Sequence, residues 1–498
     1  MSEPFVLDAS FSAFRAESFA NDVTGRLVQN AVTGTGADTV SLDRTLVNGI
    51  DETTSERLDS WKVTDQKHSG RCWEFAGLNV LRAKVIDELK VDDLEFSQNY
   101  IAFFDKLEKA NHTLARAIAT ASRDADEEEV RAIMDYPAED GGWWMEFTDL
   151  VAKYGVVPSW TMPDTESAGN TLQMNRALST VLRRGIGRIR DAATNSDVAG
   201  GAAQMEAARS EALSAVWRIL AIHLGTPPTS FTWQYRDKDK VFHRKGTYTP
   251  LEFAHEIVPQ AFEPWISLAH DPREEHPVGR TYVYEHTPYM EGGTPYWHLS
   301  VELDVMKKAV IDSIAAGEPV WFACDVKKQF DKDLGVWDAK LHDYEALYGI
   351  DMEMSKAERL RLRESGGTHA MTVVGVDLVD GVPVRWRVEN SWGDEVGRKG
   401  FFTMNDSWFD EYVYNVIVPR SRVSEVRGDC RGVRPGADRS TGARHDVSPL
   451  TTLSCPSAFL RAGRSVSAFL SRVQNPSSRG DSASPLIWRT ETSQVRVP

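Results

Sequence analysis

The chain has 498 residues, 41% of them hydrophobic and 26% charged, with a formal net charge of −16 at pH 7. That length exceeds what one core usually fills, so more than one domain is expected, and the composition is that of an ordinary globular chain. The acidic balance disfavours unspecific binding to nucleic acid or anionic lipid, and no run of about 18 apolar residues is present to cross a membrane.

Met1-Ser2-Glu3-Pro4-Phe5 is not the basic-then-apolar start of a signal peptide. Four cysteines, at 72, 324, 430 and 455, are too few for a disulfide scaffold and lack metal-ligand spacing. They suit a reducing, cytoplasmic setting without a metal or an organic cofactor. Residues 1–60 are polar and mixed, with Gly34, Gly36 and Gly49 set against any long helix; they read as a short helix around 7–21 and an arm.

Residues 61–163 read as a helical half that carries a reactive thiol. In Asp65-Gln66-Lys67-His68-Ser69-Gly70-Arg71-Cys72-Trp73, a polar turn gives way to a helix over 73–90, with Phe75, Leu78, Leu81, Val85 and Leu89 at helical spacing. A thiol at a helix N-terminus meets the positive end of the macrodipole and unpaired N–H groups, which favour thiolate. Gln66 offers an amide donor for an oxyanion formed beside the sulfur. The bland alternative is a small buried cysteine. A second helix spans 97–119, and the acidic run 124–129 reads as a solvated face. In Asp140-Gly141-Gly142-Trp143-Trp144, two adjacent glycines let the backbone approach an extended peptide closely; a plain turn is the alternative. At least one of the two tryptophans belongs to the core.

Residues 164–319 read as a mainly helical insertion, with runs at 172–192 and 204–224. His255, His270, His276, His286 and His298 lack ligand spacing and read as structural or surface residues. Residues 320–420 read as a β-rich half. There Cys324 lies in an apolar strand as a core thiol, and Thr368-His369-Ala370-Met371 opens a β-branched buried strand. Val388-Glu389-Asn390-Ser391-Trp392-Gly393 ends another. Residues 421–498 hold twelve Arg, no Lys and a net charge of +6, with many Ser, Pro and Gly, and are expected to be disordered. An Arg-rich tail of this kind is also a possible nucleic-acid contact.

A nucleophilic cysteine needs a base, and the base needs an orienting group. Cys72, His369 and Asn390 supply these in order. An Asn oxygen accepting from one imidazole nitrogen fixes the tautomer and turns the other nitrogen to the thiol, with Trp392 shielding the bond.

These motifs resemble the active site of papain-like cysteine peptidases. Lys153-Tyr154-Gly155-Val156-Val157-Pro158, Thr249-Pro250-Leu251-Glu252-Phe253 and Pro319-Val320-Trp321-Phe322 narrow the resemblance to the bleomycin hydrolase and aminopeptidase C family, from Trp61 to Pro419. It implies an α+β fold, with a papain-like helical half, a β-barrel-like half and a large helical insertion. It also implies catalytic roles for Cys72, His369 and Asn390, an oxyanion role for Gln66, and a peptide cleft lined by Gly141, Gly142 and Trp392. Peptide substrates and a homohexamer around a central chamber follow from the same resemblance. In that family the chain ends soon after the equivalent of Pro419, and its terminal carboxylate meets the substrate's free amine. Here the sequence runs on to Pro498. An endopeptidase or acyl transferase using the same triad, or a nucleic-acid-binding assembly through the Arg-rich tail, are the alternatives.

Overall fold

Eleven strands form one sheet in the computed structural model, which describes residues 6–195, 198–283 and 289–423. The sheet passes in order through Thr281–Val283, Trp297–Ser300, Trp265–Ala269, Val413–Pro419, Val320–Cys324, His369–Val379, Val382–Glu389, Phe401–Asn405, Val336–Trp337 and Phe330–Asp331. The short strand Glu56–Arg57 pairs with His369–Val379 off this path. The arrangement is α+β, but the expected barrel-like closure is not there. Among the described residues, the end strands Thr281–Val283 and Phe330–Asp331 are three and two residues long and each pairs with one neighbour only. The Arg-rich tail beyond Val423 and His286 lie outside the described residues.

The strands Val320–Cys324, His369–Val379 and Val413–Pro419 are mostly apolar and buried because both faces are covered. Side chains alternate across a strand, and the two faces enter two cores. Trp321, Ala323, Ala370 and Val374 pack with Trp73, Ala76 and Val80 of the Cys72–Leu89 helix. Phe322, Cys324, Met371 and Val373 pack with Met306, Val310 and Ile314 of the Leu303–Ala315 helix. The thiol-bearing helix therefore lies across the strand that carries His369.

The Gln98–Ala119 helix begins where the Ser97 Oγ accepts the Tyr100 N–H at 3.0 Å, an N-cap of the usual kind. The paired helices Leu172–Asn195 and Val198–Leu224 pack against it. The 164–319 stretch is less helical than its composition suggests. It also holds the hairpin Phe231–Arg236/Phe242–Tyr248 and three strands, Trp265–Ala269, Thr281–Val283 and Trp297–Ser300, that extend the main sheet. Runs of three to five residues carry too little periodicity to announce themselves. The N-terminal stretch, read as one short helix and an arm, forms four helices: Ala9–Ala20, Val23–Thr35, Ala37–Ser41 and Arg44–Gly49. Asp8, Asp22 and Asp43 cap three of them through side-chain acceptors. These caps were in plain view in the sequence among other polar residues.

Candidate active site

Cys72 is the first residue of its helix, one position earlier than expected, and is half-buried. Arg71 precedes it as an N-cap without a side-chain cap bond. Side chains hold the loop before it. The Ser69 Oγ donates to the Gln66 carbonyl at 2.6 Å, and the Arg71 Nε donates to the Ser69 Oγ at 3.0 Å. The buried Arg71 guanidinium pairs with Asp164 at 2.9 Å. Two residues before the thiol, the Gly70 N–H donates to Asp140 Oδ2 at 3.1 Å. A Cβ on Gly70 would stand 2.8 Å from that of Asp140, so only glycine fits.

His369 and Asn390 are placed by the β-ladder. His369 opens its strand opposite Cys324, and the next strand returns antiparallel with Glu389 facing Thr372. Asn390 follows directly, and its Oδ1 lies 2.9 Å from His369 Nε2. The same oxygen accepts the Ser391 N–H at 2.8 Å, which fixes it as the acceptor. The His369 Nε2 therefore carries the proton and donates, leaving Nδ1 as the basic nitrogen. The Trp392 ring lies 5.1 Å from the imidazole, centroid to centroid.

The two loops close on each other. Asp65 and Trp392 form an antiparallel bridge, and the Gln66 N–H donates to the Ser391 carbonyl at 2.8 Å. The Ser391 Oγ donates to Gln66 Oε1 at 2.6 Å, so the Gln66 Nε2 must be a donor. One of its hydrogens goes to the Ser69 carbonyl at 2.6 Å, and the second remains. Ser391 was quoted in the sequence motif without a role; here it orients the amide.

The backbone N–H groups of Ala370 and Trp73 favour the Cys72 thiolate. Burial opposes them and pushes the thiol up to about 11. Burial likewise lowers His369 to about 4, against the bond it donates to Asn390 and helped by the charge of Lys327. The helix end was expected to favour thiolate. Burial acts against it at both partners. Cys324 is fully buried and burial raises its thiol well above the ordinary range, as suits a core residue.

Of the other anticipated residues, Gly142 is tightly enclosed: a Cβ there would lie 2.5 Å from the Trp73 ring and 2.4 Å from the Glu146 carboxylate. Gly141 meets open space, and its carbonyl accepts from Lys109 Nζ at 2.6 Å. Trp144 is core and Trp143 is half-buried. Beneath them lies a buried charge cluster that the sequence did not announce. Arg71 pairs with Asp164, Lys106 with Asp140 at 2.6 Å, and Lys109 with Asp105 at 2.8 Å. Glu74 and Glu146 are left over. Both oxygens of Glu74 and one of Glu146 are buried without a hydrogen-bond partner, and burial raises both carboxyls well above the usual range. Burial without a full set of partners favours the neutral acid at both. The signal was an acidic residue inside Trp73-Glu74-Phe75-Ala76, where an amphipathic pattern calls for an apolar one.

The sequence profile of the Peptidase C1-like family matches residues 7–431. The chain belongs to this family. Within it, human bleomycin hydrolase is 41% identical over 371 residues, 73% of this chain and 81% of that protein. Aminopeptidase C of Lactobacillus delbrueckii subsp. lactis is 38% identical over 376 residues, 76% and 83% of the two chains. The crystal structure of pepw from Lactobacillus rhamnosis superposes with a TM-score of 0.80 at 35% identity, covering 84% of this chain and 95% of the other. This Peptidase C1-like protein is a cysteine-type peptidase with a papain-like fold. Among its described residues, no helix is long and apolar enough to cross a membrane.

Proposed function

We propose that this peptidase removes N-terminal residues from peptides through a thioester on Cys72. The observation that carries the reading is the His369 Nε2–Asn390 Oδ1 contact of 2.9 Å, which leaves Nδ1 basic on a strand that packs against the Cys72–Leu89 helix. The Cys72 proton passes to Nδ1 as the sulfur attacks the scissile carbonyl. The resulting oxyanion is met by the remaining Gln66 Nε2 hydrogen and the Cys72 N–H. His369 returns the proton to the leaving amine, then takes one from water, which cleaves the thioester and restores the thiol. Asn390 steadies the imidazolium, and Trp392 keeps water from that bond. Gly141 and Gly142 border the peptide cleft. The N-terminal preference is supported by the relatives named bleomycin hydrolase and aminopeptidase C. The cytoplasm, where a thiol stays reduced, is the proposed compartment. Assembly into a homohexamer is supported by the Ala9–Ala20 and Val23–Thr35 helices, which bury no residue of their own and expose Phe14 and Leu27 by 66% and 65%.

The test compares fluorogenic aminoacyl substrates with free and with blocked N-termini, using Cys72→Ala as the control. Cleavage of the free set alone, abolished in Cys72→Ala, is the expected result. Equal cleavage of blocked substrates overturns the N-terminal reading, and full activity in Cys72→Ala overturns the nucleophile.

A further inference from the structure

The Asp140 carboxylate gathers four donors from three separate parts of the chain. Its Oδ2 accepts the Gly70 N–H at 3.1 Å and the Thr171 Oγ1 hydroxyl at 2.6 Å. Its Oδ1 accepts Lys106 Nζ at 2.6 Å and Asn175 Nδ2 at 2.8 Å. Its main-chain carbonyl accepts the Trp73 indole N–H at 2.8 Å. Gly70 and Trp73 flank Cys72, Lys106 lies on the helix packed beside it, and Asn175 lies on the first long helix of the insertion. The two residues that follow Asp140 are Gly141 and Gly142.

Four donors on one buried carboxylate satisfy its lone pairs and hold it ionised, far below the ordinary carboxylate range despite its burial. Such a group has one stable position and fixes everything bonded to it. The Gly70 contact admits no slack, because the two Cβ positions would already collide. The insertion reaches the same loop twice more: the His68 N–H donates to the Gly169 carbonyl at 2.9 Å, and Arg71 pairs with Asp164.

We propose that Asp140 is a positioning residue for the nucleophile, and that through Thr171 and Asn175 the helical insertion sets the alignment of Cys72. This rests on Cys72 being the nucleophile. Attack requires the sulfur to be held to within a fraction of an ångström, and a misplacement of about 1 Å costs on the order of 100-fold. An amide at position 140 keeps the size of the side chain. It must turn an N–H toward the Gly70 N–H and Thr171, or toward Lys106 and Asn175, so one side of the hub is broken whichever way it faces.

The experiment measures alkylation of Cys72 by iodoacetamide, as a rate against pH, in the full chain. It is run on wild type, Asp140→Asn, Asp140→Glu and the double variant Thr171→Val/Asn175→Leu, with melting temperature and the kcat and KM of a free-amine substrate alongside. The double variant leaves Gly70, Trp73 and Lys106 untouched and covers the case in which Asp140→Asn does not fold. The expected result is that the folded variants show alkylation slowed by roughly tenfold or more with a displaced pH profile, and kcat lowered while KM changes little. Asp140→Glu restores part of the rate. Wild-type alkylation rates and kcat in folded Asp140→Asn or in the double variant, with only the melting temperature lowered, overturn the proposal. Failure of wild type to hydrolyse any peptide overturns the proposed function instead. The alkylation arm uses no peptide and still decides the role of Asp140.

Discussion

His369 and Asn390 stand at the ends of neighbouring antiparallel strands, and main-chain bonds put them together. Cys72 and Gln66 have no such ladder. They depend on side chains drawn from Ser69, Asp140, Asp164 and Ser391, up to 325 positions away in sequence. A ladder spreads position over many bonds of which no single side chain is indispensable, whereas a hub concentrates it. Single substitutions should therefore disturb chemistry more on the thiol side, and stability more on the strand side.

The largest effect expected is from Gln66→Ala, which removes an oxyanion donor and should lower kcat on the order of 10²- to 10³-fold. Steady-state kinetics at unchanged melting temperature checks this. Asn390→Ala should lower kcat by about 100-fold, since an imidazole without its orienter no longer presents Nδ1 reliably. Burial raises the Cys72 thiol to about 11 and lowers His369 to about 4. Activity should therefore fall below about pH 4 as His369 gains a second proton, and above about pH 11 as Cys72 loses the proton that the leaving amine needs. Loss of the Asn390 bond, which raises the His369 value, should move the acid limb lower still, and the pH–rate profile reads the sign directly.

Ser391→Ala leaves Gln66 Oε1 without its donor and lets the amide turn. A drop of about tenfold in kcat is expected, smaller than for Gln66→Ala because a rotated amide still visits the right orientation. The smallest effect expected concerns Glu74. Its folded value lies above the unfolded one, so the protein is favoured while the carboxyl stays protonated, and that advantage is lost as pH rises from about 4.5 toward the folded value. Glu74→Gln mimics the neutral acid. Relative to wild type it should gain about 1.4 kcal/mol for each pH unit in that window and nothing below it. Denaturant titrations at pH 4, 6 and 8 would show this gain, and a constant difference across the three would rule it out.

The sequence was most readable where one residue's type dictates its environment. The helix that follows the Ser69-Gly70-Arg71 turn and the helix over 97–119 obey local rules, and their boundaries agree with the expectation to within a residue; the buried run opens at His369 as read. What stayed hidden was what depends on contacts between distant positions. Asp140 reads as one more acidic residue before a glycine pair until Gly70, Lys106, Thr171 and Asn175 converge on it. Ser391 reads as motif filler until Gln66 arrives. The strands within 265–300 are too short to outvote the helical composition around them, and their identity comes from the Val413–Pro419 edge that they complete.

The Asp140 hub has a consequence for how such a chain can be rebuilt. An insertion is often treated as a cassette, exchangeable between relatives so long as its ends meet the host. Here residues 164–224 contribute the carboxylate that holds Arg71 and two of the four donors on Asp140. A chimera that swaps this segment will keep its catalytic machinery in register only if Asp164 and Thr171 in the loops before the first long helix, and Asn175 in its first turn, or equivalents at the same places, travel with it.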